Sequence, residues 1–161
     1  MKVTPHTSGG LEITIVDSAE WFLLNSIVQD AVGQGDDWLA QQLSEPMDDE
    51  SCWDDIVVPE LQTKFSDQLN DVRQAIGNAF QEQKNDGEAT LQIKREQAWS
   101  WYGALNQARL ALEEEHHVSD LDEDDLEDLP PSLMSVLGRS QFYLWLQSNI
   151  FAHCIEESED G

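Results

Sequence analysis

The sequence predicts a mostly α (α+β) fold, a helical bundle of about five to six helices with a small two-stranded antiparallel sheet. Several long segments carry apolar residues at three- and four-residue spacing, which is typical of amphipathic helices. Two short segments instead alternate apolar and polar residues, which is typical of half-buried strands. With 40% apolar residues in 161, the chain can build one core. We therefore interpret residues 1–161 as a single domain with a flexible N-terminus at 1–10.

The first predicted strand covers residues 11–16, where Leu-Glu-Ile-Thr-Ile-Val alternates apolar and polar side chains. A helix is predicted over 18–32, because Asp17 can accept hydrogen bonds from its first backbone N–H groups. The two aspartates at 36–37 are predicted to cap a short second helix. Residues 44–58 are predicted to form an acidic connection. Its expected anchors on the core are Trp53, Ile56 and Val57.

A long helix is predicted over residues 59–83, because Pro59 fits the first turn of a helix. Asn-Asp-Gly at 85–87 predicts a turn. Residues 89–94 alternate as a second strand, which we expect to pair with the first. Since two strands alone are marginally stable, this sheet must lie on the helices. The predicted buried stripe of the long helix is Leu61, Phe65, Leu69, Val72, Ile76 and Phe80.

Two further helices are predicted to be central, because each carries apolar residues on two faces. They cover residues 95–115 and 132–156, the second with a break near Gly138. An acidic loop at 113–131 separates them, and an acidic tail follows at 156–161. The stripes of the first are Ala98, Trp101, Leu105, Ala108 and Leu112, and Trp99, Tyr102 and Leu110; those of the second are Leu137, Phe142, Trp145, Leu146 and Ile150, and Leu144, Phe151 and Ile155.

The charge of the chain limits its partners. The formal net charge is −25, and residues 36–58, 113–128 and 156–160 together hold 22 of the 33 acidic residues. Such a field repels nucleic acid and anionic membranes, so we expect neither as a partner. The expected partner is another protein, and the charge favours a basic one. With two cysteines that form no framework and no apolar run of membrane length, we expect a soluble cytoplasmic protein.

One helix carries a family resemblance. The pattern Glu96-x-Ala98-x-x-Trp101-x-x-Ala104-Leu105-Asn106-x-x-Arg109-Leu110-x-Leu112 resembles the signature helix of an uncharacterised family of bacterial helical proteins. That family occurs mainly in actinobacteria and is commonly encoded beside ClpS, the Clp protease adaptor. The resemblance implies a helical fold and a setting near regulated proteolysis, and the family has no established activity. Trp145-Leu146-Gln147 is similar to its closing helix, and Glu20, Leu24, Ile27 and Val28 to its opening.

The candidate binding residues come from the same helix: Trp101, Asn106 and Arg109. Asn106 and Arg109 lie one turn apart between the apolar stripes, so both side chains are expected to be partly buried. A buried guanidinium needs a carboxylate, so one interpretation is an ion pair that fixes helix packing. The alternative is an Asn/Arg pair that binds a carboxylate or a peptide end. The expected ion-pair partners are Glu96, Glu20 or Asp71.

Metal and nucleophilic chemistry have little support in the sequence. His116 and His117, like His153 and Cys154, are adjacent on a helix and point about 100° apart, so each pair offers one good metal ligand at most. The acidic run at 120–131 lacks the Gly and Glu that an EF-hand requires at its sixth and twelfth positions. No nucleophile motif or phosphate loop occurs. We expect no catalytic residue, no metal and no cofactor.

These observations favour a non-enzymatic cytoplasmic interaction or regulatory protein, linked through its resemblance to Clp-type regulated proteolysis. Two alternatives stay open. One is an acidic mimic of nucleic acid that occupies a DNA-binding partner, although its carboxylates should then follow one exposed ordered face. The other is a small enzyme with a site near Asn106 and Arg109. The acidic blocks could also serve solubility alone.

Overall fold

The computed structural model describes residues 1–7, 9–33, 35, 38–44, 53–83, 87–121 and 128–156, with backbone only at 53 and 54. The described chain is mostly helical, and it contains five α-helices and one antiparallel sheet of three strands. The elements in chain order are β1 (Lys2–Pro5), β2 (Gly10–Ile15), α1 (Ser18–Val32), α2 (Trp38–Ser44), α3 (Trp53–Glu82), β3 (Ala89–Lys94), α4 (Ala98–His116) and α5 (Pro131–Ile150), which continues as a π-helical turn over Phe151–Ile155.

The sheet has the order β1-β2-β3, with both pairs antiparallel. Lys2 lies opposite Thr14 and Gly10 lies opposite Lys94, so β2 is the central strand. The prediction of two strands is therefore wrong, because β1 adds a third. This strand has only four residues and ends at Pro5, which is too short to show alternation. It forms because β2 offers a second edge for pairing.

The N-terminus of α1 is fixed by a reciprocal set of hydrogen bonds. The Asp17 carboxylate accepts from the Glu20 N–H at 2.9 Å, which confirms the predicted cap. The Glu20 carboxylate in turn accepts from the Val16 N–H at 2.7 Å and pairs with the ammonium group of Met1. These bonds join the end of β2 to the start of α1, and the Glu20 side chain that makes two of them is buried.

α3 begins six residues earlier than predicted, at Trp53, so Pro59 lies inside the helix. A proline there removes one backbone hydrogen bond. Val58, next to it, is buried, and this burial stabilises the turn and offsets part of the loss. Of the expected anchors, Val57 is half-buried and Ile56 is 60% exposed. Ile56 was therefore predicted wrongly.

The predicted stripe of α3 is buried at its centre, at Leu69, Val72 and Ile76. Leu61 and Phe65 are half-buried. The remaining member, Phe80, is largely exposed and meets the edge of the Trp21 ring, with ring centroids 5.3 Å apart.

α4 occupies the centre of the bundle, as predicted, and contacts α1, α3 and α5. The face through Trp101 and Leu105 is fully buried. Its second predicted stripe is not: Trp99 is 62% exposed, Leu110 is 40% exposed and Tyr102 is half-buried. The prediction that both faces of α4 are core is therefore wrong, and the exposed face borders the site described below.

α5 runs from Pro131 to Ile150 without a break at Gly138, contrary to prediction. Leu146, Ile150 and Ile155 are buried and Leu137 and Phe142 are half-buried, whereas Leu144, Trp145 and Phe151 are exposed. The irregularity lies instead at Phe151–Ile155, where the backbone becomes π-helical. Among the described residues, no helix combines the length and apolar content needed to cross a membrane.

Several predictions fall wholly or partly outside the described residues. They are the cap at 36–37, the contact of Trp53, most of the acidic connection at 44–58, the turn at 85–87, the middle of the loop at 113–131 and the tail at 156–161. Within that loop, residues 113–116 complete α4 and residues 118–120 form a short 3-10 turn.

Candidate functional site

The three predicted binding residues lie in different surroundings. Trp101 is fully buried in the core, Asn106 is exposed and Arg109 is half-buried. Helical geometry explains this difference. Asn106 and Arg109 are three residues apart and share a face, whereas Trp101 and Asn106 are five residues apart and point about 140° away from each other around the helix axis. The structure therefore brings Asn106 and Arg109 to one surface and places Trp101 elsewhere, as a core residue.

Arg109 is held by a short chain of hydrogen bonds between α4 and α5. Its Nη1 donates to Oε1 of Gln147 at 2.9 Å, and Nε2 of Gln147 donates to the backbone carbonyl of Tyr102 at 3.2 Å. Gln147 is only 4% exposed. A buried amide that is bonded at both ends cannot rotate freely, so it fixes the position of the guanidinium.

Arg109 forms none of the ion pairs expected from the sequence. The Glu20 carboxylate pairs with the Met1 ammonium, and Asp71 accepts from the Ser100 hydroxyl at 2.7 Å. In the described part of the chain, no carboxylate lies within 4 Å of the Arg109 guanidinium. Its Nε is buried and makes no hydrogen bond there. Such an unsatisfied donor is costly, and most buried polar groups avoid it.

A cavity of about 310 Å³ opens beside this arginine, between α4 and α5. We call it the α4–α5 groove. A neighbouring cavity of about 340 Å³ is also lined by Arg109. The groove is lined by Tyr102, Arg109, Leu144, Gln147, Ser148 and Phe151, and the neighbouring cavity by Asn106, Arg109, Leu110, Glu113, Ser119 and Ser140.

Aromatic rings continue the groove along the surface. The ring of Phe151 lies 6.4 Å from that of Tyr102, and Tyr102 meets the edge of Trp99 at 5.8 Å. Trp99, Leu144 and Phe151 are 62%, 49% and 45% exposed. Single exposed apolar residues are ordinary, but contiguous patches often mark interaction sites.

The groove and the neighbouring cavity contain groups that can bind a ligand, but their hydroxyl and carboxylate groups are poorly suited to act as a nucleophile or a general base. The Ser148 hydroxyl donates to the Leu144 carbonyl at 2.8 Å, so it is engaged by the backbone. In the neighbouring cavity, the Ser119 hydroxyl donates to the Glu113 carboxylate at 2.5 Å. This bond lowers the pKa of Glu113 below its ordinary value, which makes its carboxylate a weaker base. The Ser119 N–H also donates to the Glu113 carboxylate, so this pair of residues joins the end of α4 to the short turn that follows it.

Metal ligands do not gather in the described residues, where no group of three His, Cys, Asp or Glu side chains could hold an ion. Five groove residues were not predicted as site residues: Tyr102, Leu144, Gln147, Ser148 and Phe151. The second stripe of α4 could have indicated Tyr102, and the second face of the last helix could have indicated Leu144 and Phe151, but both were interpreted as core.

Residues 45–152 match the family model DUF2017, which is described as a domain of unknown function. No curated protein and no solved structure matches the chain.

Proposed function

Because the chain belongs to the DUF2017 family, whose description assigns no activity, we propose a function from its own surface. The protein is a non-enzymatic interaction or regulatory protein that binds a partner polypeptide in the α4–α5 groove. The observation that carries this proposal is the exposed aromatic row beside a half-buried arginine, at Trp99, Tyr102, Phe151 and Arg109.

Aromatic and arginine side chains dominate the energetics of protein interfaces. They are enriched at interface centres, where truncating one costs about 2 kcal/mol or more. Tyr102 is already anchored in the fold, because its ring contacts both Trp99 and Phe151. A partner that covered this row would remove apolar surface from water while few side chains lost freedom.

The charge supports a protein partner of neutral or basic composition. The net charge of −25 would steer such a partner towards the molecule and raise its association rate more than its final affinity. It would equally repel nucleic acid. The groove lining, in which the Ser148 hydroxyl is bonded to the backbone, favours binding over catalysis.

The cellular setting in this proposal rests on the resemblance of the α4 segment to the bacterial family encoded beside ClpS. On that basis we place the interaction in the cytoplasm of a bacterium, within Clp-type regulated proteolysis. The partner would then be a component or substrate of that system. Partner capture tests this part together with the groove.

The experiment compares partner capture by three immobilised proteins. They are the unaltered chain, a groove variant carrying Trp99→Ser and Phe151→Ser, and a control variant carrying Phe22→Ser. Phe22 is 54% exposed on α1 and lines neither cavity, so it matches the exposure of the groove residues. All three substitutions are at exposed positions, so each variant should unfold at the same temperature within a few degrees.

We expect one protein to be retained by the unaltered chain and by the control, and lost from the groove variant. The partner is then identified, purified and titrated against the same three proteins. Equal affinity for all three would place its binding site elsewhere and contradict the proposal. A partner unrelated to the Clp system would contradict the cellular setting alone.

A further inference from the structure

We propose that the α4–α5 groove binds the carboxyl terminus of its partner, with the terminal carboxylate on Arg109 and the last side chain apolar, against Leu144 and Phe151. This inference rests on the proposed function, because it names the part of the partner that enters the groove. Three features carry it: the donors of Arg109, the length of the aromatic row and the charge of the surroundings.

Most N–H donors of the Arg109 guanidinium make no hydrogen bond with a described residue. A guanidinium carries five N–H donors in a fixed planar fork, and the described contacts of Arg109 use one, towards the neutral amide of Gln147. Arg139 shows the contrast within the same fold, since its Nε and Nη2 donate to both oxygens of Asp30 at 2.8 and 3.2 Å. Arg109 has no such carboxylate among the described residues, and its terminal nitrogens keep N–H donors that Gln147 does not use. An incoming carboxylate would supply the acceptor that the fork lacks.

The position of Arg109 is set before any ligand arrives. Gln147 is buried and bonded to both Arg109 and the Tyr102 carbonyl. Little side-chain freedom is therefore lost when a carboxylate docks, and this kind of preorganisation raises affinity.

The apolar surface is longer than the cavity, which favours a polypeptide over a small molecule. The volume of about 310 Å³ is at the low end for ligand sites, which span roughly 300–1,000 Å³. The row of rings nevertheless continues past it to Trp99, ten residues and therefore ~15 Å along α4 from Arg109. An extended chain covers that distance in about five residues. The groove thus fits the last side chain, and the row fits the residues that precede it.

The charge of the protein favours a chain terminus over an acidic segment. A segment rich in Asp or Glu would be repelled by the net charge of −25 and, near Arg109, by Glu113 in the neighbouring cavity. A carboxyl terminus brings one negative charge whatever the composition of the residues before it. Neutral or basic upstream residues therefore remain compatible with the acidic surroundings.

The test uses two synthetic peptides that differ only at their last group. Both have the sequence acetyl-KSGALF, one ending in a free carboxylate and the other in an amide. Isothermal titration calorimetry measures their affinity for the unaltered chain, for Arg109→Gln and for Arg73→Gln. Arg73 is an exposed arginine of α3 that donates only to Asn70 among the described residues, so its loss matches the change in charge.

We expect the free acid to bind the unaltered chain and Arg73→Gln at least about tenfold more tightly than the amide, because hydrogen bonds to charged groups are the stronger ones. In Arg109→Gln the two peptides should bind alike. A second variant, Gln147→Glu, places a carboxylate beside the guanidinium and should also abolish the difference. It keeps the inference testable if Arg109→Gln does not fold.

Equal binding of both peptides to the unaltered chain would overturn the inference, and so would a preference for the acid that survives in Arg109→Gln and Gln147→Glu. If both peptides bind equally and Phe151→Ala weakens both, polypeptide binding in the groove stands and only the role of the terminus fails. If neither peptide binds, the carboxyl terminus is rejected as the ligand. The comparison of partner capture by the unaltered chain and the groove variant then tests the proposed function separately.

Discussion

A buried hydrogen-bond network between α1 and α5 gives a sharp test of the fold. The Asp30 carboxylate accepts from the Tyr143 hydroxyl at 2.5 Å and from Nε and Nη2 of Arg139 at 2.8 and 3.2 Å. Tyr143 is fully buried, and the side chains of Asp30 and Arg139 are only 14% and 15% exposed. The perturbation is Tyr143→Phe, which removes one oxygen and leaves the ring in place.

The expected loss is about 1.5–3 kcal/mol of unfolding free energy, the usual range for a hydrogen bond to a charged group. Phenylalanine keeps nearly the same packing, so no cavity term of the kind caused by truncation is added. Asp30→Ala should cost more, about 3–5 kcal/mol, because it leaves the Arg139 guanidinium and the Tyr143 hydroxyl without their acceptor.

The same network predicts a dependence on alkaline pH. Burial first, and then the hydrogen bond to Asp30, raise the pKa of Tyr143 above its ordinary value. Above pH ~10 the unfolded chain releases this proton and the folded chain retains it. The folded state then binds more protons, so its stability falls as pH rises, by up to ~1.4 kcal/mol per pH unit. Tyr143→Phe should lack this part of the decline.

Urea unfolding followed by tryptophan fluorescence measures both effects, at pH 7.5 and between pH 9.5 and 11. The matched control is Tyr102→Phe, since the Tyr102 hydroxyl makes no hydrogen bond with a described residue, and its cost should stay within ~0.5 kcal/mol. If the two substitutions cost the same at pH 7.5, or have parallel pH profiles above 10, the argument from the Asp30 network is refuted.

Three other predictions concern single positions. Gly10→Ala should cost at least about 2 kcal/mol in urea unfolding, because φ is +110° and a Cβ would lie 2.4 Å from the Ile93 carbonyl oxygen; a neutral effect would contradict that backbone geometry. Gly77→Ala, in an open stretch of α3, should instead add about 1 kcal/mol, and a loss would mean that the site is crowded. Ser119→Ala should raise the pKa of Glu113 towards its ordinary value in an NMR titration, because the Ser119 hydroxyl is the main cause of its lowering; an unchanged pKa would refute that assignment.

Helical periodicity predicted most of the fold because it reports burial directly. The bounds of α1 and the cap at Asp17 follow from one apolar face and one side chain. β1 and the start of α3 could not be predicted in this way. A four-residue strand has no measurable period, and Pro59 is a local signal for a first turn that the packing of the preceding residues overrides.

The candidate site was predictable only in part. Asn106 and Arg109 were identified as a polar pair within an apolar helix, and the structure places both beside one cavity. The partner of Arg109, Gln147, lies 38 positions later, and no local pattern in a single sequence reports such a contact. The expected carboxylate partner was a sound inference from the cost of burying charge, but the fold supplies an amide instead.

The stripe of Trp99, Tyr102 and Leu110 shows why periodicity alone cannot separate a buried face from an exposed apolar one. Both need apolar side chains at helical spacing, and they differ only in what covers them. α4 contacts α1, α3 and α5 and its first stripe is buried, whereas the second remains largely open to solvent. Gln147 belongs to both regions, because it is buried in the bundle and holds Arg109 in the groove. The packing of the core therefore determines the geometry of the groove, and a core substitution that displaced Gln147 would also displace Arg109.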